Sequence, residues 1–179
     1  IKFEKNKKIK QKNTFNFIIG GKSKNFKFDK TVQEKILNDI KILSQKYFVQ
    51  IIPSRRTPEI LIEKIKNNKI SNTDILINTN DPIKYGQFLS QSIANIVTWE
   101  SISMISESIY SGVGTFIYSF EKESLPKKYK NFHKDLMEKK YIKNFSINLI
   151  PFKTSINKDL SELKNNILYK INQSPIFNT

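Results

Sequence analysis

Residues 15–21 read FNFIIGG, a short apolar run that is closed by two glycines. A run of this length before a glycine turn is typical of a buried strand that ends abruptly. Apolar residues then recur at helical spacing, at Val32, Ile36, Ile40, Leu43 and Tyr47. A buried strand followed by an amphipathic helix is the repeating unit of α/β folds.

The same alternation continues along the chain. Short apolar runs predict further strands at 48–52, 74–78, 95–98 and 115–118, with a candidate edge strand at 145–149. Helical spacing predicts helices at 59–67, 82–91, 99–111, 127–140 and 159–171. Thr31 and Glu34 have the spacing of a capping box, and Thr57 with Pro58 supplies an N-cap and a first helical residue. We therefore predict a Rossmann-like α/β fold, with a mostly parallel sheet and helices on both faces.

The composition limits the kinds of site that the chain can form. Cysteine is absent and His133 is the lone histidine, which excludes disulfide frameworks and metal sites built on thiolates or imidazoles. We therefore expect no metal. No apolar stretch reaches the roughly 18 residues that a membrane span needs, and no signal peptide opens the chain. The expected location is cytoplasmic, with contact at a membrane surface left open.

The net charge of +15 favours polyanionic partners. Lysines accompany abundant asparagine and isoleucine along the chain, so we interpret the charge as compositional bias and do not expect nucleic acid as the main partner. Residues 1–13 hold six lysines, which predicts a basic arm or interdomain linker before one domain at 14–179.

The chain has only two arginines, Arg55 and Arg56, and they lie in the turn after the second predicted strand. A guanidinium grips phosphate or carboxylate at two points, and open α/β sheets bind ligands at the carboxyl ends of their strands. We expect this pair to bind an anion, the alternative being a salt bridge to a neighbouring helix. Gly20 and Gly21 open a second such loop, where ligand approach and plain turn geometry are both open.

The segment from Trp99 to Glu107 is serine-rich and carries little charge. Its serines could present hydroxyls and amides to an anion at a helix N-terminus, or could simply allow close packing. We expect Glu107 to accept a ribose hydroxyl, Trp99 to pack in the core, and His133 to be a solvated surface residue. Gly112 and Gly114 are interpreted as turn residues.

Three of these segments resemble, in order and spacing, the mitochondrial fission (elongated mitochondria) protein family. They are FIIGGKSK at 17–24, SRRTP at 54–58 and TWESISMISE at 98–107. The family includes plant elongated-mitochondria proteins and bacterial members described as glycosyltransferases. The family usually has Asp where this chain has Glu100. It usually has Asn-Pro-Tyr at 81–83 and Gly-Lys-Pro at 112–114, where this chain has Asp-Pro-Ile and Gly-Val-Gly.

The resemblance implies the C-terminal half of a metal-independent GT-B-like glycosyltransferase, with the N-terminal domain absent and this fragment inactive alone. It implies diphosphate contacts from Gly21, Lys22, Ser23, Arg55, Arg56, Ser101 and Ser103, and a ribose contact from Glu107. The nucleotide-sugar is then substrate, no cofactor is needed, catalytic residues stay unassigned, and the acceptor could be a cell-envelope glycan or lipid. The alternative is a non-catalytic interaction protein that acts in membrane or organelle division.

Overall fold

The computed structural model describes residues 13–23, 26, 28–76, 82–120, 126–156, 159, 161 and 162, and the structural statements below concern these residues. The predicted arm at 1–13 and the helix at 159–171 lie almost wholly outside them. The strands are β1 (Thr14–Ile19), β2 (Phe48–Pro53), β3 (Thr73–Ile75), β4 (Ala94–Thr98), β5 (Thr115–Tyr118) and β6 (Ile142–Asn144). The helices are α1 (Lys30–Ser44), α2 (Glu59–Asn67), α3 (Pro82–Gln91), α4 (Ile102–Tyr110) and α5 (Lys127–Glu138).

The six strands form one sheet in the order β3-β2-β1-β4-β5-β6, and every pairing is parallel. This confirms the predicted Rossmann-like architecture. β1 lies in the middle, and all six of its residues are buried. Helices cover a parallel sheet on both sides, which is why the central strand is a nearly continuous apolar run.

Two side chains of β5 show that helices lie on both faces. Thr115 and Tyr118 are three residues apart in the strand, so they point to opposite sides of the sheet. Ser108 of α4 shares a hydrogen bond of 2.7 Å with Thr115, and the Tyr118 hydroxyl donates to Asp39 of α1 at 2.5 Å. α1 and α4 therefore cover opposite faces.

A buried amide network joins the two central strands. Asn16 of β1 donates to the side chain of Asn95 in β4 at 2.7 Å and to the carbonyl of Phe88 in α3 at 2.9 Å. Both asparagines are fully buried, and the Ser92 hydroxyl also donates to the side-chain oxygen of Asn95 at 2.9 Å. The Asn16 Oδ1 atom has no partner among the described residues, but the hydrogen bonds that are made link β1 and β4 in one register.

Two predicted helix starts are wrong. The cap of α1 is Asp29, whose carboxylate accepts from the Val32 amide at 2.9 Å, so Thr31 lies inside the first turn rather than at the cap. Thr57 does not cap α2, because its hydroxyl is engaged with the turn after β1 instead. At α1 a residue earlier in the sequence supplies the cap. At α2 the predicted cap residue hydrogen-bonds to a distant loop instead.

The bounds of three other elements also differ from prediction. The last described strand is β6 rather than 145–149, and the Phe145 ring packs on Phe17 and Tyr118. The helix predicted from residue 99 begins at Ile102, because Trp99 to Ser101 form a turn. The strand predicted at 74–78 is β3, at Thr73–Ile75, and the predicted part at 77–78 lies outside the described residues. β5 has the bounds that were predicted for it, 115–118.

Candidate functional site

The order of the strands reverses between β1 and β4. Connections from β1 run one way along the sheet through β2 to β3, and those from β4 run the other way to β6. The loops at the carboxyl ends of β1 and β4 therefore diverge, and the crevice left at such a reversal is the ligand site of open α/β folds. Gly20 and Gly21 follow β1 there, and Trp99 to Ser101 follow β4.

The turn after β2 is fastened to the glycine turn by Thr57. Its hydroxyl lies 2.7 Å from the Ile19 carbonyl oxygen and 2.6 Å from that of Gly20, and it accepts from the Ser54 amide at 2.8 Å. The Ser54 amide also donates to the Ile19 carbonyl at 2.8 Å. The arginine turn is thus held directly beside the end of β1.

Both glycines of this turn are required by close packing. A Cβ on Gly20 would overlap Glu100 Oε1, and a Cβ on Gly21 would overlap the backbone carbonyl of Arg56. The structure thus gives a reason for the pair that the sequence did not offer, which is close packing against the protein's own loops, and ligand approach at this turn stays a prediction. This close packing brings the loops after β1, β2 and β4 together at one point.

Glu100 lies at that point and is 3% exposed. Its Oε1 accepts from the Thr98 hydroxyl at 3.1 Å, and the same Thr98 oxygen accepts from the Gly20 amide at 2.8 Å. No group in the described part of the chain hydrogen-bonds to Oε2. Burial raises the pKa of Glu100 to about 7, against weaker opposing contributions from the amides of Glu100 and Gly21, the Thr98 hydroxyl and the Arg56 charge.

Five of the seven predicted diphosphate residues lie in the turns after β1 and β2. Arg55 and Arg56 are exposed in the turn after β2, and the backbone of Arg56 touches Gly21. Lys22 and Ser23 follow Gly21 and line a cavity of about 370 Å³ together with Phe26, Phe28 and Asp29.

Two of the predicted serines belong to the start of α4. Ser101 is 3% exposed and precedes the helix without capping it through its side chain. Ser103 is exposed in the first turn. Their position beside Glu100 fits a role at the helix N-terminus, while their individual contacts with a ligand stay predictions.

Glu107 lies one turn further along α4, on an exposed flank. Burial raises the pKa of its carboxyl, and the nearby Tyr85 hydroxyl of α3 opposes this shift. The pKa of the Tyr85 hydroxyl is raised by burial first and then by Glu107. The structure thus places Glu107 with α3 rather than within the glycine turn, and its predicted ribose contact stays a prediction.

His133 is the one site interpretation that the structure contradicts. It is 5% exposed instead of solvated, and its Nε2 lies 3.1 Å from the Trp99 carbonyl oxygen. Burial lowers its pKa, with an opposing contribution from that carbonyl. The sequence concealed this because α5 is dominated by charged residues, although His133 falls on its inner side.

Trp99 packs in the core, as predicted, at 1% exposure. Its ring meets Phe26 from the loop after β1 at 5.3 Å and Tyr129 of α5 at 5.2 Å, both edge to face. His133 and Trp99 therefore tie α5 to the loop that carries Glu100. The sequence signal for Glu100 is that an acidic residue stands two positions after a buried strand, which is where open α/β sheets place site residues.

Charge in the described part is less evenly spread than the composition indicates. Residues 127–143 contain seven lysines against Asp135 and Glu138, a net charge of +5, whereas α2 has two lysines against two glutamates. Among the described residues, no group of three potential metal-ligating side chains occurs, and no helix is long and apolar enough to cross a membrane.

Comparison with known proteins gives one family. The profile of the family described as "Mitochondrial fission ELM1" matches residues 2–166. An uncharacterized protein of Rickettsia prowazekii (strain Madrid E), RP120, is 33% identical over 162 residues, which are 82% of this chain and 43% of that protein. The chain therefore spans less than half the length of that relative. No solved structure matches the chain significantly.

Proposed function

This chain belongs to the mitochondrial fission ELM1 family, and we propose that it is the nucleotide-sugar-binding half of a metal-independent GT-B-like glycosyltransferase. The observation that carries the proposal is the convergence of the loops after β1, β2 and β4 where the strand order reverses. This is the position at which open parallel sheets hold nucleotides. The activity of the whole protein, its acceptor and any contact with a membrane surface belong to the same proposal.

The chemical task of this half is electrostatic. A nucleoside diphosphate that leaves a sugar gains negative charge as the glycosidic bond breaks. Exposed Arg55 and Arg56 lie beside the Gly21 turn. The start of α4, which no described side chain caps, adds the positive end of a helix. Fixed donors of this kind stabilise the leaving group without a metal ion.

The proposal is tested by calorimetric titration of the chain with UDP, GDP and ADP and with their glucose or mannose conjugates. We expect one nucleotide to bind, and Arg55→Lys and Arg56→Lys to weaken its binding although the charge is kept, because the two-point grip is lost. Lys46→Arg, at an exposed turn near the opposite edge, is the control and should change nothing. Absence of binding to every nucleotide, with folded protein, would refute the proposal.

A second candidate is a non-catalytic interaction protein that keeps the fold. A partner surface of this kind would have to include exposed apolar side chains, and Tyr110 and Ile150 are 69% and 78% exposed. This candidate predicts folded protein that binds no nucleotide but loses a protein partner when Tyr110 and Ile150 are both changed to Ser. Nucleotide binding that survives both changes supports the first candidate.

A further inference from the structure

The ionised form of Glu100 conflicts with an anion site. Its carboxyl group lies where the glycine turn, the arginine turn and the β4–α4 turn meet, and it is buried with Oε2 unpartnered among the described residues. A phosphate bound at the same turns would face this negative charge across a medium of low dielectric. Such a repulsion is large unless the carboxyl is neutral or moves away.

The backbone amides around Glu100 favour the ionised form of its own carboxyl group. The backbone N–H of Gly21 and that of Glu100 itself stabilise its ionised form, as does the Thr98 hydroxyl. The Gly21 amide is also one of the predicted phosphate donors. In the ligand-free protein, the ionised side chain therefore competes for a hydrogen-bond donor that a phosphate would use.

The charges near Glu100 are few. From the turn after β2, Arg56 acts on it as a cation and favours ionisation. From α5, His133 approaches only as far as the Trp99 carbonyl, and burial lowers its pKa so that it is neutral near pH 7. The glycine turn contributes backbone, followed by exposed Lys22, and the start of α4 contributes Ser101 and amides. Nothing described there compensates the carboxylate as fully as an ion pair would.

We propose that the Glu100 carboxylate is an internal competitor for the phosphate site, so that a phosphate-containing ligand binds the protein with Glu100 protonated and takes up a proton as it does so. The inference rests on the proposed function, since it concerns the same site. It adds a residue that sets the pH dependence of binding. Because the pKa of Glu100 is about 7, the empty site holds that proton half the time near neutrality.

The test uses nucleotide-sugars such as UDP-glucose, GDP-mannose and ADP-glucose, whose diphosphate diesters do not titrate between pH 6 and 8. Calorimetry in buffers of different ionisation enthalpy reports the protons taken up. For the native chain we expect about half a proton at pH 7, and an affinity that falls about tenfold per pH unit above pH 7. Glu100→Gln should take up none and show a flat profile, while Glu63→Gln, an exposed carboxyl on α2, should behave as the native chain does.

The possible outcomes separate the two proposals. Binding with equal proton uptake in native and Glu100→Gln chains, or affinity that rises with pH, overturns the inference and leaves the nucleotide site standing. Absence of any binding overturns both. If Glu100→Gln does not fold, carbon-13 shifts of the glutamate carboxyls in the native chain decide: saturating ligand must raise the pKa of one buried carboxyl, and an unchanged set of pKa values refutes the inference.

Discussion

Glu100 should make the stability of the protein depend on pH. Its carboxyl has a pKa of about 7 in the folded chain against an ordinary value of 4.5, so folding favours the protonated form. The associated stability is fully present below pH 4.5 and is lost as the pH rises through 7. For a group that is 3% exposed, the loss is on the order of 3 kcal/mol.

Urea denaturation of native and Glu100→Gln chains from pH 5 to 8 measures this effect. We expect Glu100→Gln to gain stability relative to the native chain as the pH rises, since the glutamine cannot ionise. A constant difference across the range would show that Glu100 titrates normally. His133 has the opposite sign, because burial lowers its pKa and acid must charge it.

The glycine turn gives a matched pair of substitutions. Gly21→Ala places a Cβ against the Arg56 carbonyl, whereas a Cβ on Gly86 of α3 meets nothing within 4 Å. We expect Gly21→Ala to destabilise the fold by about 2 kcal/mol or more and Gly86→Ala to stabilise it by about 0.5–1 kcal/mol. Thermal unfolding of both variants measures the difference. A Gly21→Ala chain as stable as the Gly86→Ala chain would contradict the close contact between Gly21 and Arg56.

Individual residues were predicted unevenly. The end of β1 at the glycine pair and the burial of Trp99 followed from local pattern, because a short apolar run stops at Gly-Gly and the segment that holds Trp99 carries little charge. The burial of His133 and the central place of Glu100 did not. Both depend on which loops meet across the sheet, and spacing within one segment carries no information about that.

At the scale of elements, α1 has a cap that can be tested against its neighbour. Asp29 accepts from the Val32 amide, while Thr31 lies within the helix and is exposed. We expect Asp29→Ala to cost about 1 kcal/mol and Thr31→Ala to cost almost nothing. Chemical denaturation measures the free energy of unfolding of both variants. A larger decrease for Thr31→Ala than for Asp29→Ala would support Thr31 as the cap of α1 instead.

Strand and helix positions were largely predictable because a buried parallel sheet imposes apolar runs of fixed length. Helix starts were less so, since Asp29, Thr31 and Thr57 are all good capping residues and the choice depends on competing partners. Thr57 is taken by the carbonyls of Ile19 and Gly20, which lie 38 and 37 residues away in sequence. The edge strand was misplaced because Phe145 has strand character but is used to cover Phe17 and Tyr118.

At the scale of the whole molecule, positive charge is concentrated on one part of the described surface, on and beside α5. Lys127, Lys128, Lys130 and Lys139 are exposed on or beside α5, within the +5 segment at 127–143. We expect Gln at all four to reduce the slope of log affinity against log salt for double-stranded DNA by up to about 4, as four phosphate contacts would. The same change at exposed Lys30, Lys41, Lys46 and Lys66 is the control, and equal reductions would show that the charge acts only as a diffuse total.

The two outer strands have a consequence for how the protein behaves when crowded. β3 and β6 have three residues each, and the central residue of each is charged and exposed: Asp74 in one, Lys143 in the other. An open sheet has unpaired backbone N–H and C=O groups along its edge strands. Short edge strands that carry a charged side chain are poor templates for strand addition by another molecule. We therefore expect concentrated, folded protein to resist fibril formation despite its strongly apolar interior.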